Sequence, residues 1–329
     1  MAFEMTQCLW QDSAHRIVVS PAPQTGFLEQ LATTRFQTDG QTYRRVNTET
    51  QARRLGQAHF LSLVSGSDTV GTYALSETPL LVDGQPARGF YRAMLTLAPA
   101  ARGQGLGKQL LRCAREWMQE VSADASGPVF SWGCVAARNT PARQLLRHAG
   151  HQEIGTLSPK LEYQQWIRRV RYALSESVDE RIETAWRHSQ QSSQWHLADL
   201  PNSGWLTLAH DNQWIACQHH LTELDLTPVP GLLGWIDRHL MPWFPPGRRR
   251  FDPEHFRYVS VSSVIGSDGH ESLWPVLRNA LMDRYETHYV NRTRSLPDKT
   301  GLVVSVARID APGTKIESGG RLALWPPDL

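Results

Sequence analysis

The stretch "LTLAPAARGQGLGKQLLRCAREWMQE", residues 95–120, constrains this chain more than any other. An apolar strand runs into Pro99. Gly103, Gly105 and Gly107 then fall within five positions, and an amphipathic helix begins. Each such glycine costs about 0.5–1 kcal/mol relative to alanine. A helix N-terminus presents unpaired backbone N–H groups and about half a positive charge, so it is a natural anion site. Glycines let that backbone come close to a ligand. Hydrogen bonds to a charged group contribute about 1.5–3 kcal/mol each, so two or three offset the glycines. Arg102 adds a guanidinium suited to phosphate. The turn from Arg102 to Lys108 therefore reads as a pyrophosphate cradle. It is not a Walker loop, because Gln109 follows Lys108 where Ser or Thr is needed. It is not a dinucleotide fingerprint either. The spacing is G-x-G-x-G, and the turn follows an antiparallel hairpin rather than standing at the start of a domain.

The elements around the cradle read in order. "RIVVS" is a short strand, "TGFLEQLATTRFQ" a helix and "NTETQARRLGQA" a second, polar helix. "HFLSLV" and "TVGTYALSE" form a hairpin across "SGSD", and "FYRAMLTLA" is the strand before the cradle. In the following helix Leu106, Leu110, Ala114, Trp117 and Val121 recur at helical spacing, giving one buried face. "PVFSWGCVA" is a strand. "NTPARQLLRHAG" is a helix with Asn139 as N-cap, Pro141 in its first turn and Gly150 at its end. The second half echoes this plan. "GWLTLAH" and "QWIACQHHLTE" flank an Asp211-Asn212 turn, "FRYVSVSSVIG" is a strand and "HESLWPVLRNALMDRY" a helix. Eight of the twelve tryptophans lie beyond residue 180. The predicted units are 1–168 and 169–329.

Length and composition set limits. A chain of 329 residues accommodates two ordinary domains. With 40% hydrophobic and 20% charged residues it has the composition of a soluble globular protein. With a net charge of +2, no strong electrostatic field argues for nucleic acid or an anionic membrane, and neither is expected as a partner. The scattered Cys8, Cys113, Cys134 and Cys217 form no CxxC pair, so neither zinc nor a disulfide scaffold is indicated and no metal is expected. No apolar run approaches the roughly 20 residues of a membrane span, and the N-terminus has no signal-peptide core. The expectation is a cytoplasmic protein. The oligomeric state is left open.

The stretch resembles the GNAT superfamily of acyl-CoA-dependent acyltransferases. Their signature, Arg/Gln-x-x-Gly-x-Gly/Ala after the fourth strand, is matched by Arg102, Gly105 and Gly107. Leu97, Pro99, Gly103 and Leu106 extend the match. The later family motif is similar to "NTPARQLLRHAG", through Asn139, Ala142, Leu145 and Gly150. The resemblance covers about residues 16–160. It implies an α/β (α+β) fold with a mixed, mostly antiparallel sheet flanked by helices. A weaker likeness implies a second, degenerate domain of the same kind in tandem. It further implies acetyl-CoA, or another acyl-CoA, as co-substrate. Gly103, Gln104, Gly105, Leu106, Gly107 and Lys108 would hold its pyrophosphate together with Arg102. Leu95, Thr96 and Leu97 would pair with the pantetheine arm. Asn139 and Arg143 would reach the pantetheine or phosphate end. A splay between the fourth and fifth strands would admit the thioester.

The catalytic groups are less legible. Acyl transfer to an amine needs a neutral nucleophile, a polarised carbonyl and a proton for the departing thiolate. Many family members carry a tyrosine after the Leu of the Asn motif and a glutamate on the fourth strand. Here those positions hold Leu146 and, near it on the strand, Ala93 beside Arg92. Cys134, Tyr91 and Ser131 are the candidate substitutes, with Tyr73 as a further aromatic. His148 and His151 read as surface histidines. A lysine amine of pKa about 10.4 is rarely neutral at pH 7, whereas an α-amine near 8 is neutral about one time in ten. A small-molecule or peptide α-amine is therefore the expected acceptor. The rival readings are a CoA-binding sensor without turnover and an aminoacyl-tRNA-dependent transferase. In the second half, "IGSDGHESL" stands where a cradle would be, and Asp268 would repel phosphate. "GRRR" (247–250) reads as a solvated loop.

Overall fold

The computed structural model describes residues 6–38, 41–163, 173–176, 178–190, 193–198, 204–227, 252–294, 302–316 and 322–323. The expected boundary at 168/169 and the "GRRR" segment lie outside these. The first half runs β1 (Gln7–Gln11), β2 (His15–Ser20), α1 (Thr25–Thr33), β3 (Phe36–Thr38), β4 (Gln41–Arg45), α2 (Thr48–Arg53), β5 (Ala58–Ser65), β6 (Asp68–Glu77), β7 (Leu80–Val82) and β8 (Gln85–Leu97). Then come α3 (Leu106–Glu120), β9 (Val129–Ala136), α4 (Thr140–His148) and β10 (Gln152–Tyr163). The second half has β11 (Ala173–Ser175), α5 (Glu180–Gln190), β12 (Trp195–Leu197), β13 (Trp205–His210), β14 (Gln213–Asp225) and β15 (Phe256–Gly266). It ends with α6 (Trp274–Arg284), β16 (Tyr289–Arg294), β17 (Leu302–Arg308) and β18 (Leu322–Ala323).

The first sheet has the order β1–β2–β5–β6–β8–β9–β17–β10. Every neighbour in it is antiparallel except β8 and β9, which are parallel and joined through α3. The second sheet runs β11–β13–β14–β15–β16–β10, with β15 and β16 as its parallel pair joined through α6. The echo read in the sequence is thus a structural repeat of hairpin, strand, helix and parallel strand. The two sheets also exchange strands. β17, from the end of the chain, lies between β9 and β10 in the first sheet. β10 pairs with β17 over Gln152–Leu157 and then with β16 over Ser158–Tyr163.

The amphipathic pattern decides which helix covers which face. Leu106, Leu110, Ala114 and Trp117 of α3 are buried with Ile17, Leu61, Leu63, Leu75 and Phe90 on one face of the first sheet. Phe27 and Leu31 of α1, Leu55 and Trp186 of α5 cover the opposite face. Leu277 and Leu281 of α6 cover the second sheet. Trp186, Trp195, Trp205 and Trp274 are core residues, so those tryptophans of the second half serve packing. Two helix predictions need trimming. Phe36 and Gln37 leave the first helix for β3, where β-branched and aromatic neighbours favour a strand. The second helix is only six residues long, entered from Asn47 in the left-handed region, and Ala58 already belongs to β5. Among the described residues no helix is long and apolar enough to cross a membrane.

Candidate active site

The cradle is built by backbone geometry. Gly103 has φ +76° and Gly105 φ +80°, conformations that L side chains rarely adopt, and open space surrounds both Cα atoms. Gly105 is the N-cap of α3 and has no side chain to cap it. The N–H groups of Leu106 and Gly107 open the helix, and none of the described residues supplies them an acceptor. Arg102 and Gln104 hold the turn in shape. Arg102 Nε donates to the Leu97 carbonyl at 3.1 Å, and Gln104 Nε2 to the Ala100 carbonyl at 2.7 Å. Lys108 is exposed on the first turn. Gly107 has a different reason to be glycine. A Cβ there would lie 3.1 Å from Leu97 Cδ1 and 3.3 Å from Leu145 Cδ2, so it sets the closeness of α3 to β8 and α4.

Beside the cradle the sheet opens. β8 and β9 pair only from Arg88 opposite Val129 to Tyr91 opposite Trp132. Beyond that point β8 follows β6 and β9 follows β17. A bulge helps turn β8 away. Its register against β6 slips between Thr72 and Ala74, and Met94 takes φ +55°. Thr72 Oγ1 fixes the bulge by donating to the Met94 carbonyl at 2.7 Å. From Leu95 to Leu97 the edge of β8 that faces β9 has no strand partner among the described residues. An extended chain of amide groups could add there as a strand does.

Residues 26–151 match the sequence model of the acetyltransferase (GNAT) family. This part of the chain is a GNAT domain. No curated protein sequence matches the chain. In fold, the likeness runs well beyond the GNAT domain. The Saccharomyces cerevisiae N-myristoyltransferase with bound myristoyl-CoA is 8% identical, with 91% of this chain and 84% of that one covered at a TM-score of 0.58. A GCN5-related N-acetyltransferase from Kribbella flavida is 13% identical, covering 90% and 72% at 0.49. A tandem GNAT protein from the clavulanic acid biosynthesis pathway is 14% identical, covering 91% and 100% at 0.48. The GNAT domain makes the chain an acyltransferase, and acyl transfer from an acyl-CoA its reaction class.

The residues singled out in the GNAT domain fall on both faces of the opening. Tyr91 is buried and packs on Trp132 with ring centroids 4.7 Å apart. Cys134 is half-buried on the same face, paired through β9 with Val304. Ser131 points to the α3 face and is fully buried, its Oγ without a hydrogen-bond partner. Asn139 caps α4 by accepting from the Ala142 N–H at 3.2 Å. Arg143 is fastened to Glu153 at 2.9 and 2.8 Å and to the Ala137 carbonyl at 2.7 Å. That pairing positions the loop which carries Asn139.

Sequence reasoning missed the buried polar cluster on the α3 face. His151 is not on the surface. It is 8% exposed, its Nδ1 lies 3.2 Å from the Leu146 carbonyl, and its Nε2 has no partner. Burial, with the charges of Arg92 and Arg115, holds it well below the usual histidine range. Tyr73 is fully buried. Burial pushes its phenol up to about 12, and the neighbouring Arg92 and Ser131 oppose part of that rise. Hydropathy does not announce such a cluster, because arginine and histidine ordinarily read as surface residues.

The second-half counterpart of the cradle is filled by the chain itself. A Cβ on Gly266 would lie 2.5 Å from the Trp214 carbonyl oxygen, so that glycine serves packing. Glu271 stands in the turn before α6, held by Arg292 at 3.0 and 2.6 Å. A carboxylate there repels phosphate, as does Asp268.

Proposed function

We propose that this protein transfers an acetyl group from acetyl-CoA to the amine of a small molecule or peptide by direct attack in a ternary complex. The observation that carries the reading is the separation of β8 from β9 immediately beside an uncapped, glycine-built helix start. Leu106 and Gly107, with Gly103, Gln104, Gly105 and Lys108 around them, receive the pyrophosphate, and Arg102 adds its charge. Leu95, Thr96 and Leu97 offer the pantetheine amides an unpaired strand edge. Asn139 and Arg143 stand at the far arm of the opening. Tyr91 packed on Trp132 closes the apex, which favours a short acyl group over a long one. Cys134, Tyr91 and Ser131 line the two faces next to the thioester. The chain functions in the cytoplasm, as units 1–168 and 169–329 that exchange β10 and β17. The second unit shapes the acceptor side and binds no CoA of its own.

Calorimetric titration of acetyl-CoA into the protein, Gly105→Glu and Gly105→Asn tests this. Asparagine tolerates positive φ, so it controls for backbone strain. One-site binding kept by Asn and lost by Glu supports the cradle. Absence of binding to the unmodified chain overturns it. Thiol release across a panel of amines then identifies the acceptor. Amines of low pKa are expected to react fastest at neutral pH.

A further inference from the structure

Arg92 is the first residue of β8 past its last pairing with β9, so it stands at the apex of the opening. It is 6% exposed. Its Nη2 donates to the Ser305 carbonyl at 2.8 Å and to Ser305 Oγ at 2.7 Å, both on β17. It reaches β17 by crossing β9 at Gly133, where an added Cβ would lie 2.9 Å from the Arg92 carbonyl oxygen and 3.5 Å from its Nε. Nε is buried and has no partner. Tyr73 Oη, Ser131 Oγ and His151 Nε2 are buried around it, with Tyr73 near enough to interact with both Arg92 and Ser131. The groups acting on Arg92 are Tyr73 from β6, Cys134 from β9 and Tyr91 on its own strand, and with Arg115 it acts on His151. No carboxylate pairs with it among the described residues.

A guanidinium cannot shed its charge, and burying it without an opposite charge is costly. Such a group is useful where negative charge develops during a reaction. Leu146, buried on the same face, holds the place where a proton donor was expected and has no proton to give.

We propose that Arg92 stabilises the thiolate released from the acyl donor. This rests on the reading that a thioester is seated between β8 and β9. The amine lone pair forms the C–N bond, and the C–S bond breaks with its electron pair left on sulfur. The proton shed by the nitrogen goes to water. The thiolate pairs with the Arg92 guanidinium, which keeps its own protons, and the Tyr73 and Ser131 hydroxyls donate to the same sulfur.

The test is a titration of the CoA thiol bound to the full chain, followed by thiolate absorbance. Desulfo-CoA is the blank that removes the protein's own tyrosines and cysteines. The bound thiol is expected to titrate at least one pH unit below free CoA. Arg92→Met should return it to the free value while CoA still binds, and Arg92→Lys should keep most of the shift. Acyl transfer should fall about 10- to 100-fold in Arg92→Met. A bound thiol that titrates like free CoA in the unmodified protein overturns the proposal, whatever the variants do. If Arg92→Met does not fold, Arg92→Gln, which removes the charge and keeps a donor for Ser305, serves in its place, and an unchanged thiol titration there likewise counts against Arg92. Failure of CoA to bind the unmodified chain is a separate result. It removes the donor-site reading and this inference with it.

Discussion

Arg92 Nη2 bonds both the carbonyl and the hydroxyl of Ser305, a residue 213 positions further along the chain. The contact ties the strand that carries the cradle to the strand returned from the second half. A hydrogen bond to a charged group contributes about 1.5–3 kcal/mol. Ser305→Ala removes the hydroxyl bond and keeps the carbonyl one, so a loss near the lower end of that range is expected in chemical denaturation. An unchanged midpoint would show that the hydroxyl is dispensable.

Strand β17 lies between β9 and β10, so residues 1–168 by themselves leave two strand edges unpaired in the middle of a sheet. Val303, Val304, Val306 and Ala307 are all buried there. Each buried valine contributes about 1.5–3 kcal/mol. The fragment 1–168 is expected to lack a cooperative melt and to aggregate through its open edges. Co-expression with residues 295–329 should restore solubility. A fragment melting at the temperature of the full chain would refute the strand exchange.

The cradle glycines separate by cause. Gly105→Ala meets no atom within 4 Å but is held at φ +80°, so a cost of about 1–2 kcal/mol is expected from strain alone. Gly107→Ala has an ordinary helical backbone and meets only the ends of Leu97 and Leu145. Its gain of about 1 kcal/mol in helix propensity offsets the crowding. Thermal melts should therefore rank Gly105→Ala below Gly107→Ala, and the reverse order would contradict the geometry.

Histidine burial predicts a pH dependence. His151 is held well below 6.5 in the fold, and His220 is pushed down to about 3 by burial and by Arg54, His219 and Arg45. Unfolded histidines take up protons near pH 6.5 that the folded ones refuse. Stability is therefore full above that pH and declines as pH falls through the window toward the folded values. The slope is at most about 1.4 kcal/mol per pH unit for each histidine. Denaturation midpoints at pH 7.5, 6.5 and 5.5 measure it, and His151→Gln should flatten the profile. A flat profile in the unmodified protein would mean these histidines are not buried neutral.

The cysteines report ligand access. Cys8 is exposed, Cys134 is half-buried on the β9 arm of the opening, and Cys217 is fully buried with its thiol pushed up by burial. Thiol labelling is expected to modify Cys8 first and Cys217 only on unfolding. Acetyl-CoA should slow labelling at Cys134 alone. Protection spread equally over all sites would point to global stabilisation instead.

The sequence by itself determined the features whose causes are local. Gly103, Gly105 and Gly107 announce a bared backbone at a helix start, Asn139 and Pro141 announce a second helix start, and the 3.6-residue spacing from Leu106 to Trp117 announces a helix with one buried face. The repeat in the second half was legible for the same reason, since hairpin turns and helical periods are written in neighbouring residues. Tertiary structure alone decided the rest. Nothing near residues 302–308 says that they pair with β9 and β10 rather than with the strands of their own half, because a strand's partner depends on which edge is open. Nothing near Arg92 says that it is buried, because an arginine's own preference is for water. Only the absence of a side chain at Gly133 and the arrival of Ser305 from the far end of the chain make a place for it inside.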